Sequence, residues 1–267
     1  MTTTMMMTLE NLRFAKAMPR IEAFNTLRGN VVRNNNYSQF NLCDYTGDDV
    51  MDVIDSRMLL CMQLGIDLDR LIMPRQTHTA NVAVIDSGFF SDSMEHQEKR
   101  LQDVDAIVTK LKNVCIGVNT ADCVNMALAD PEAGVIAAVH AGWKGTAAHI
   151  AQATVAQMVK LGAKAARIQA SLGAAICRNC FEVGDEVVEH FAECGFQPSD
   201  IMVRDSATGK AHIDLKVANR LTLVDAGIPQ ANIVVSENCT RCNPDKYFSA
   251  RRLGIKSGRV FTGIIMR

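Results

Sequence analysis

The chain has 267 residues, with 28 Lys plus Arg against 29 Asp plus Glu, 48% hydrophobic residues, nine Cys and six His. A chain of this length buries a full core without disulfides, and a net charge of −1 gives no global field for gathering a polyanion, so any anionic ligand must be met by local groups and wholesale nucleic-acid binding is excluded. The start, Met1 to Thr8, lacks a basic opening followed by an apolar run, and the apolar stretches at 114–120 and 133–143 fall short of the roughly 20 residues of a membrane span; the expectation is a soluble, cytoplasmic protein with reduced thiols and no membrane partner.

In chain order, residues 48–64 predict a helix, with Val50, Ile54, Met58 and Cys61 on one face, acidic residues in the first turn and Gly65 just past the end. Short β-branched runs at 82–85, 106–108, 114–118, 124–128 and 135–139 read as strands. The last three follow one another with short connections, which favours antiparallel pairing because a parallel crossover needs a dozen or more residues. Residues 146–161 predict a second helix, placing Ala147, Ala151, Thr154, Met158 and Leu161 on one face and Gly162 at the stop. A strand at 168–170, a helix at about 184–194, a helix at 216–226 capped by Asp214 and ended by Gly227, and strands at 233–235 and 260–265 complete the outline. No linker, low-complexity tract or internal period divides the chain, so the reading is one domain over 1–267 of mixed α and β type, with helices outside a sheet-rich core.

Three places put an imidazole or a thiol beside a sharp turn at the end of an apolar run: Arg75-Gln-Thr-His78, Thr120-Ala-Asp-Cys123 and Val139-His140-Ala-Gly-Trp-Lys-Gly145. Loops at strand ends are where a rigid scaffold presents functional side chains. Two His and one Cys form a set that suits Zn²⁺ and leaves a fourth tetrahedral position open, although copper uses the same donors. No local spacing rule links the three, and each read singly is also a satisfied strand-end His or a small buried thiol. The turn after His140 leads into the predicted helix, an arrangement that offers backbone N–H groups to an anion such as phosphate.

These residues lie in a series of strings that includes Asp103-Val-Asp-Ala-Ile-Val-Thr109, Asn119-Thr-Ala-Asp-Cys123, Ala138-Val-His-Ala-Gly-Trp-Lys-Gly145, Cys180-Phe-Glu-Val-Gly184, Asp214-Leu-Lys-Val-Ala-Asn219 and Phe248-Ser-Ala-Arg-Arg252, with Asn25-Thr-Leu-Arg-Gly29 upstream. In this order they resemble the YfiH family of laccase-like proteins, formerly described as multicopper polyphenol oxidoreductases and now associated with purine nucleoside phosphorylase and adenosine deaminase activities. The resemblance spans nearly the whole chain. It implies an α+β fold, a single-domain four-layer αββα sandwich of the kind shared with cytotoxic necrotizing factor, and it implies His78, Cys123 and His140 as the ligands of zinc, with copper the alternative. The chain departs from the family pattern at Lys144, where Arg is usual, and at Phe181, where Tyr is usual; Lys144 keeps the cation and loses the bidentate fork.

The implied substrates are a purine nucleoside (adenosine, inosine or methylthioadenosine) and phosphate. Arg28, Lys144 and Arg251 are the candidate phosphate or ribose contacts, against the plain reading of each as a solvated surface charge. For deamination, Asp122 is the candidate proton-shuttling carboxylate, with Glu182 second; Asp122 equally suits a turn or the orientation of a ligand. The single Trp, Trp143, is either a purine-stacking wall or a core residue. Cys177-Arg-Asn-Cys180 and Cys239-Thr-Arg-Cys242 stand far apart in sequence, and a structural four-cysteine zinc there requires the fold to join them. Competing functions are a copper-dependent phenol oxidase and a metal-free cysteine hydrolase or amidase, of the kind used in peptidoglycan precursor editing, with Cys123 as nucleophile. Oligomeric state is not legible.

Overall fold

A computed structural model describes residues 6–29 and 36–267, so Met1 to Met5, part of the segment on which the expectation of no secretory signal rests, lie outside the described residues. A five-stranded sheet runs in the order Leu9–Asn11, Ile21–Thr26, Val260–Met266, Cys115–Thr120, Leu71–Ile72; a six-stranded sheet runs Ile233–Val235, Gln169–Leu172, Val124–Asp130, Val135–Ala141, Ala106–Thr109, Val82–Ile85. Their central strands are buried along their whole length, as expected when both faces of a sheet are covered.

Side-chain alternation shows what covers each face. From Val124–Asp130, the larger Val124, Met126 and Leu128 join the core beneath the helices Ile150–Lys160 and Leu215–Asp225, whereas Ala127 and Ala129 turn to the other side. There they meet Ile116, Val118 and Ile264 of the five-stranded sheet, so small residues on one sheet receive branched residues from the other. On the outer face of the five-stranded sheet, Cys115, Phe261 and Ile265 pack under Leu60, Cys61 and Leu64 of the helix Val50–Leu64. The result is helix, sheet, sheet, helix, the α+β four-layer architecture expected. Gly117 is needed here: a Cβ on it would lie 2.2 Å from the Phe261 ring, so the ring occupies the space a side chain would take.

Several expectations are corrected. Residues 114–118 and 124–128 do not pair with each other; Cys115–Thr120 belongs to one sheet and Val124–Asp130 to the other, and only Val124–Asp130 with Val135–Ala141 forms the expected antiparallel pair. The short connection crosses between layers, with Asp122 at φ 85°. The helix at 146–161 is broken into Trp143–Ala147 and Ile150–Lys160 by His149 at φ 57°. In the first helix the buried side carries Val53, Leu60, Cys61 and Leu64, while Val50 and Met58 are exposed; apolar residues lie all around this helix, so the periodicity selects the wrong stripe. Its stop matches expectation, with Gly65 left-handed, while Asp49, placed inside the expected helix, instead caps its start by accepting the amides of Met51 and Asp52. Asp214 likewise caps Leu215–Asp225 by accepting the Val217 amide. The polar helix Met94–Leu101 and the strand Ile21–Thr26 are additions to the outline drawn from sequence. No helix among the described residues is long and apolar enough to cross a membrane.

Candidate metal centre

The crossing between the two sheets brings the three expected donors together. Donor atoms of His78, Cys123 and His140 all lie within 4.8 Å of one another. Cys123 Sγ stands 3.9 Å from His78 Nε2, and the two imidazoles meet edge to face with centroids 4.9 Å apart. His140 is buried at the end of Val135–Ala141, Cys123 is half-buried at the start of Val124–Asp130, and His78 is exposed in the loop after Leu71–Ile72. The backbone bends sharply at one donor and just before another, with His78 at φ 66° and Asp122 at φ 85°; non-glycine residues in this region mark a conformation that the surroundings impose.

Asp105 holds the centre from below, and sequence reasoning gives it no role. Its buried carboxylate accepts the His140 Nδ1–H at 2.6 Å, the amides of His78 at 3.1 Å, Thr79 at 2.7 Å and Thr77 at 3.3 Å, and the Thr79 hydroxyl at 2.7 Å. One carboxylate therefore fixes both the His140 tautomer and the loop that carries His78, leaving His140 Nε2 toward Cys123. The only sequence signal for it is its place in the matched string at 103–109. Gly142 supplies the remaining wall: a Cβ there would lie 2.5 Å from His78 Cδ2 and 3.1 Å from Cys123 Sγ.

Charge is matched across the centre. Burial alone pushes the Cys123 thiol up, but the His140 charge and hydrogen bonds from both imidazoles outweigh it and bring the thiol down to about 6. For His140 burial favours the neutral ring, and the Cys123 charge with the Asp105 hydrogen bond reverses this, raising it to about 9. Asp105 is raised by burial and lowered more strongly by its His140 bond, to about 2. These opposed shifts favour a thiolate beside an imidazolium backed by a carboxylate.

The other expected residues are distributed unequally. Both oxygens of Asp122 accept hydrogen bonds at 2.6 Å, one from the Thr240 hydroxyl and one from the Arg251 amide, and its carbonyl accepts the Ile176 amide at 2.9 Å. Arg251 thereby starts at the centre's edge, but its guanidinium bonds the Glu182 carbonyl over the Phe181 ring. Arg28 is engaged by Ser38 Oγ and the Pro244 carbonyl over Phe248. Lys144 lies over the Trp143 ring, which is itself half-buried against the helix-side core and meets His190 edge-on. Glu182 is paired with Lys210. The helix opened by Gly142 covers only Trp143–Ala147, too short for the anion site expected at its start to draw on a developed dipole.

Comparison with known proteins places this geometry. Residues 22–267 match the family model for multi-copper polyphenol oxidoreductase laccase. The chain belongs to this family. A relative named adenosine deaminase RL5, from an unidentified prokaryote, is 57% identical over 97% of this chain and 99% of its own length. A purine nucleoside phosphorylase of Bacteroides thetaiotaomicron is 38% identical over 92% of both chains. Among solved structures, Bacillus licheniformis YfiH superposes with a TM-score of 0.85 at 29% identity, covering 92% of this chain and 93% of that one, and YlmD of Geobacillus stearothermophilus with 0.84 at 30% identity, covering 93% of each. This laccase-like family member is accordingly an enzyme with the YfiH fold.

Proposed function

We propose that the chain is a zinc-dependent purine nucleoside phosphorylase with adenosine deaminase activity at the same centre. Phosphorolysis forms a bond from a phosphate oxygen to the ribose anomeric carbon and breaks the bond to the base, giving ribose 1-phosphate and free purine; deamination replaces the C6 amine by an oxygen from water and releases ammonia. The observation that carries the reading is the convergence of His78, Cys123 and His140 within 4.8 Å, in a chain whose relatives are named for these two activities.

The residues fit zinc. Two imidazole nitrogens and a thiolate are its ordinary donors, Asp105 presents the His140 ring in the right tautomer, and Gly142 leaves the space a side chain would fill. When bound, zinc supplies a Lewis acid with one coordination position open to water or substrate; copper fits the same donors. In this reading His78 would complete the donor set from the exposed side. Asp122 braces Cys123, because both its oxygens already accept hydrogen bonds. Arg251, Lys144 and Arg28 contact phosphate or ribose, Arg251 having the most direct connection to the centre through its amide. The nine free thiols accord with a cytoplasmic setting.

Zinc-loaded protein incubated with phosphate and inosine or adenosine is expected to release hypoxanthine or adenine, and with adenosine alone to form inosine. Absence of both base release and inosine formation would sink the reading. The thiolate–imidazolium pair favours one alternative, a cysteine hydrolase with Cys123 as nucleophile. For that enzyme a chelator leaves activity intact and a thiol alkylator abolishes it, the reverse of the expectation here. The phenol-oxidase reading draws less support, since the other four histidines take separate partners: Asp92 for His96, the Cys194 carbonyl for His149, Glu193 for His190 and the Arg178 carbonyl for His212.

A further inference from the structure

The fold joins the two Cys-x-x-Cys segments that lie far apart in sequence. The Sγ atoms of Cys177, Cys180, Cys239 and Cys242 all lie within 4.8 Å of one another. Ala175 and Cys239 form an isolated parallel bridge, the Thr240 amide bonds the Ala175 carbonyl at 3.3 Å, and the Cys177 amide points at the Cys239 sulfur at 3.2 Å. Each segment folds back on its first cysteine. Arg178–Cys180 is a tight 3-10 turn, and the Asn243 side chain and amide both bond the Cys239 carbonyl. Cys180 Sγ and Cys242 Sγ are 3.5 Å apart, far longer than a disulfide of about 2.05 Å. Four sulfurs on a zinc at about 2.3 Å would stand about 3.8 Å apart, between the 3.5 Å of the Cys180–Cys242 pair and the 4.8 Å that bounds the cluster.

From these observations we infer a second metal site: Cys177, Cys180, Cys239 and Cys242 form a closed tetrathiolate for a soft divalent cation, zinc foremost. Four sulfur donors leave no open position, so the site is structural. Its place in the fold gives it a task. Thr240, between Cys239 and Cys242, donates to Asp122 Oδ1, and Ile176, next to Cys177, donates to the Asp122 carbonyl. Both segments therefore grip the residue that precedes Cys123, and a metal joining them fixes that grip. Arg241, whose guanidinium lies 3.4 Å from Cys180 Sγ, offsets part of the charge that four thiolates bring.

The inference concerns metal content and is independent of the nucleoside reaction. In protein purified with reductant and zinc, the His78→Ala/Cys123→Ala variant is expected to retain one zinc per chain by elemental analysis. Its cobalt-exchanged form should show the thiolate-to-cobalt charge transfer and d–d bands of a four-sulfur tetrahedron. Adding Cys242→Ser, an exposed position that burdens folding least, should weaken that zinc at least about tenfold in chelator competition with the far-UV dichroism unchanged. Where the double variant does not fold, cobalt-exchanged wild type provides the measurement, its four-sulfur bands lost on Cys242→Ser. No zinc in the double variant, a cobalt spectrum lacking the four-sulfur bands, or disulfides in the intact mass of reductant-purified protein would each overturn the site.

Discussion

Replacing Asp105 by Asn tests the frame of the centre most directly. Oδ1 accepts the His140 Nδ1–H and the His78 amide; Oδ2 accepts the amides of Thr77 and Thr79 and the Thr79 hydroxyl. An Asn amide has one oxygen. If its NH2 takes the Oδ2 place, two backbone amides that cannot reverse face a donor; if it takes the Oδ1 place, one amide does, and His140 can keep a bond only by giving up its Nδ1 proton and keeping one on Nε2, the nitrogen that would hold a metal. Each of these partly buried amides left facing a donor costs toward the lower end of about 1–3 kcal/mol, so the second arrangement is preferred. The expected result is a loss of about 2–4 kcal/mol of stability in the metal-free protein, seen as a lower denaturant midpoint with unchanged slope. With it comes a fall in zinc affinity of about 10–100-fold in chelator competition, from the misplaced proton. Unchanged stability together with zinc affinity within about twofold of wild type would refute the role given to Asp105.

Three further outcomes follow from the same contacts. Gly142 has φ −67° and ψ 171°, which alanine tolerates, so Gly142→Ala should leave the fold intact while displacing His78, lowering zinc affinity at least about tenfold by calorimetric titration; full affinity would show that the cradle is not needed. Asp130 is raised by burial but held below the ordinary carboxylate range by Arg167 and the amides of Lys164 and Ala133. Its contribution is therefore present above the unfolded value of 3.8 and lost as pH falls through the depressed folded value, so Asp130→Asn should cost about 1–3 kcal/mol at neutral pH and flatten the acid limb of a denaturation series; a parallel acid limb would contradict this. Thr240→Val removes a buried donor to Asp122 and should cost about 1–3 kcal/mol while weakening metal at Cys123; thermal unfolding and chelator competition report both, and no change in either removes the brace.

Local chemistry makes much of this fold legible. The Asp214 cap, the Gly65 stop and the apolar runs at 124–128 and 135–139 lie where residue type alone places them. Decisions taken by tertiary packing are not legible. Nothing local says that the chain leaves one sheet at Thr120 and enters the other at Val124, since a short connection also suits a hairpin, and nothing local places His149 in the left-handed region that splits a helix. The apolar stripe of the first helix is misread because Met51, Met58 and Met62 make its outer side as apolar as its inner one.

The same distinction explains the centre. Its three candidate donors can be named because they lie in the strings that carry the family resemblance, yet their sequence gives no reason for them to meet. They meet because the Thr120–Val124 crossing carries Cys123 over the seam between sheets, where His140 ends its strand and the His78 loop returns. Holding a non-glycine residue at φ 85° against an adjacent ligand requires restraint from several directions, and Asp122 receives it from Thr240, Arg251 and Ile176. A carboxylate beside Cys123 reads in sequence as an acid–base candidate. In the fold it also joins the Cys-x-x-Cys segments and the Ala250–Leu253 helix to the turn that carries Cys123.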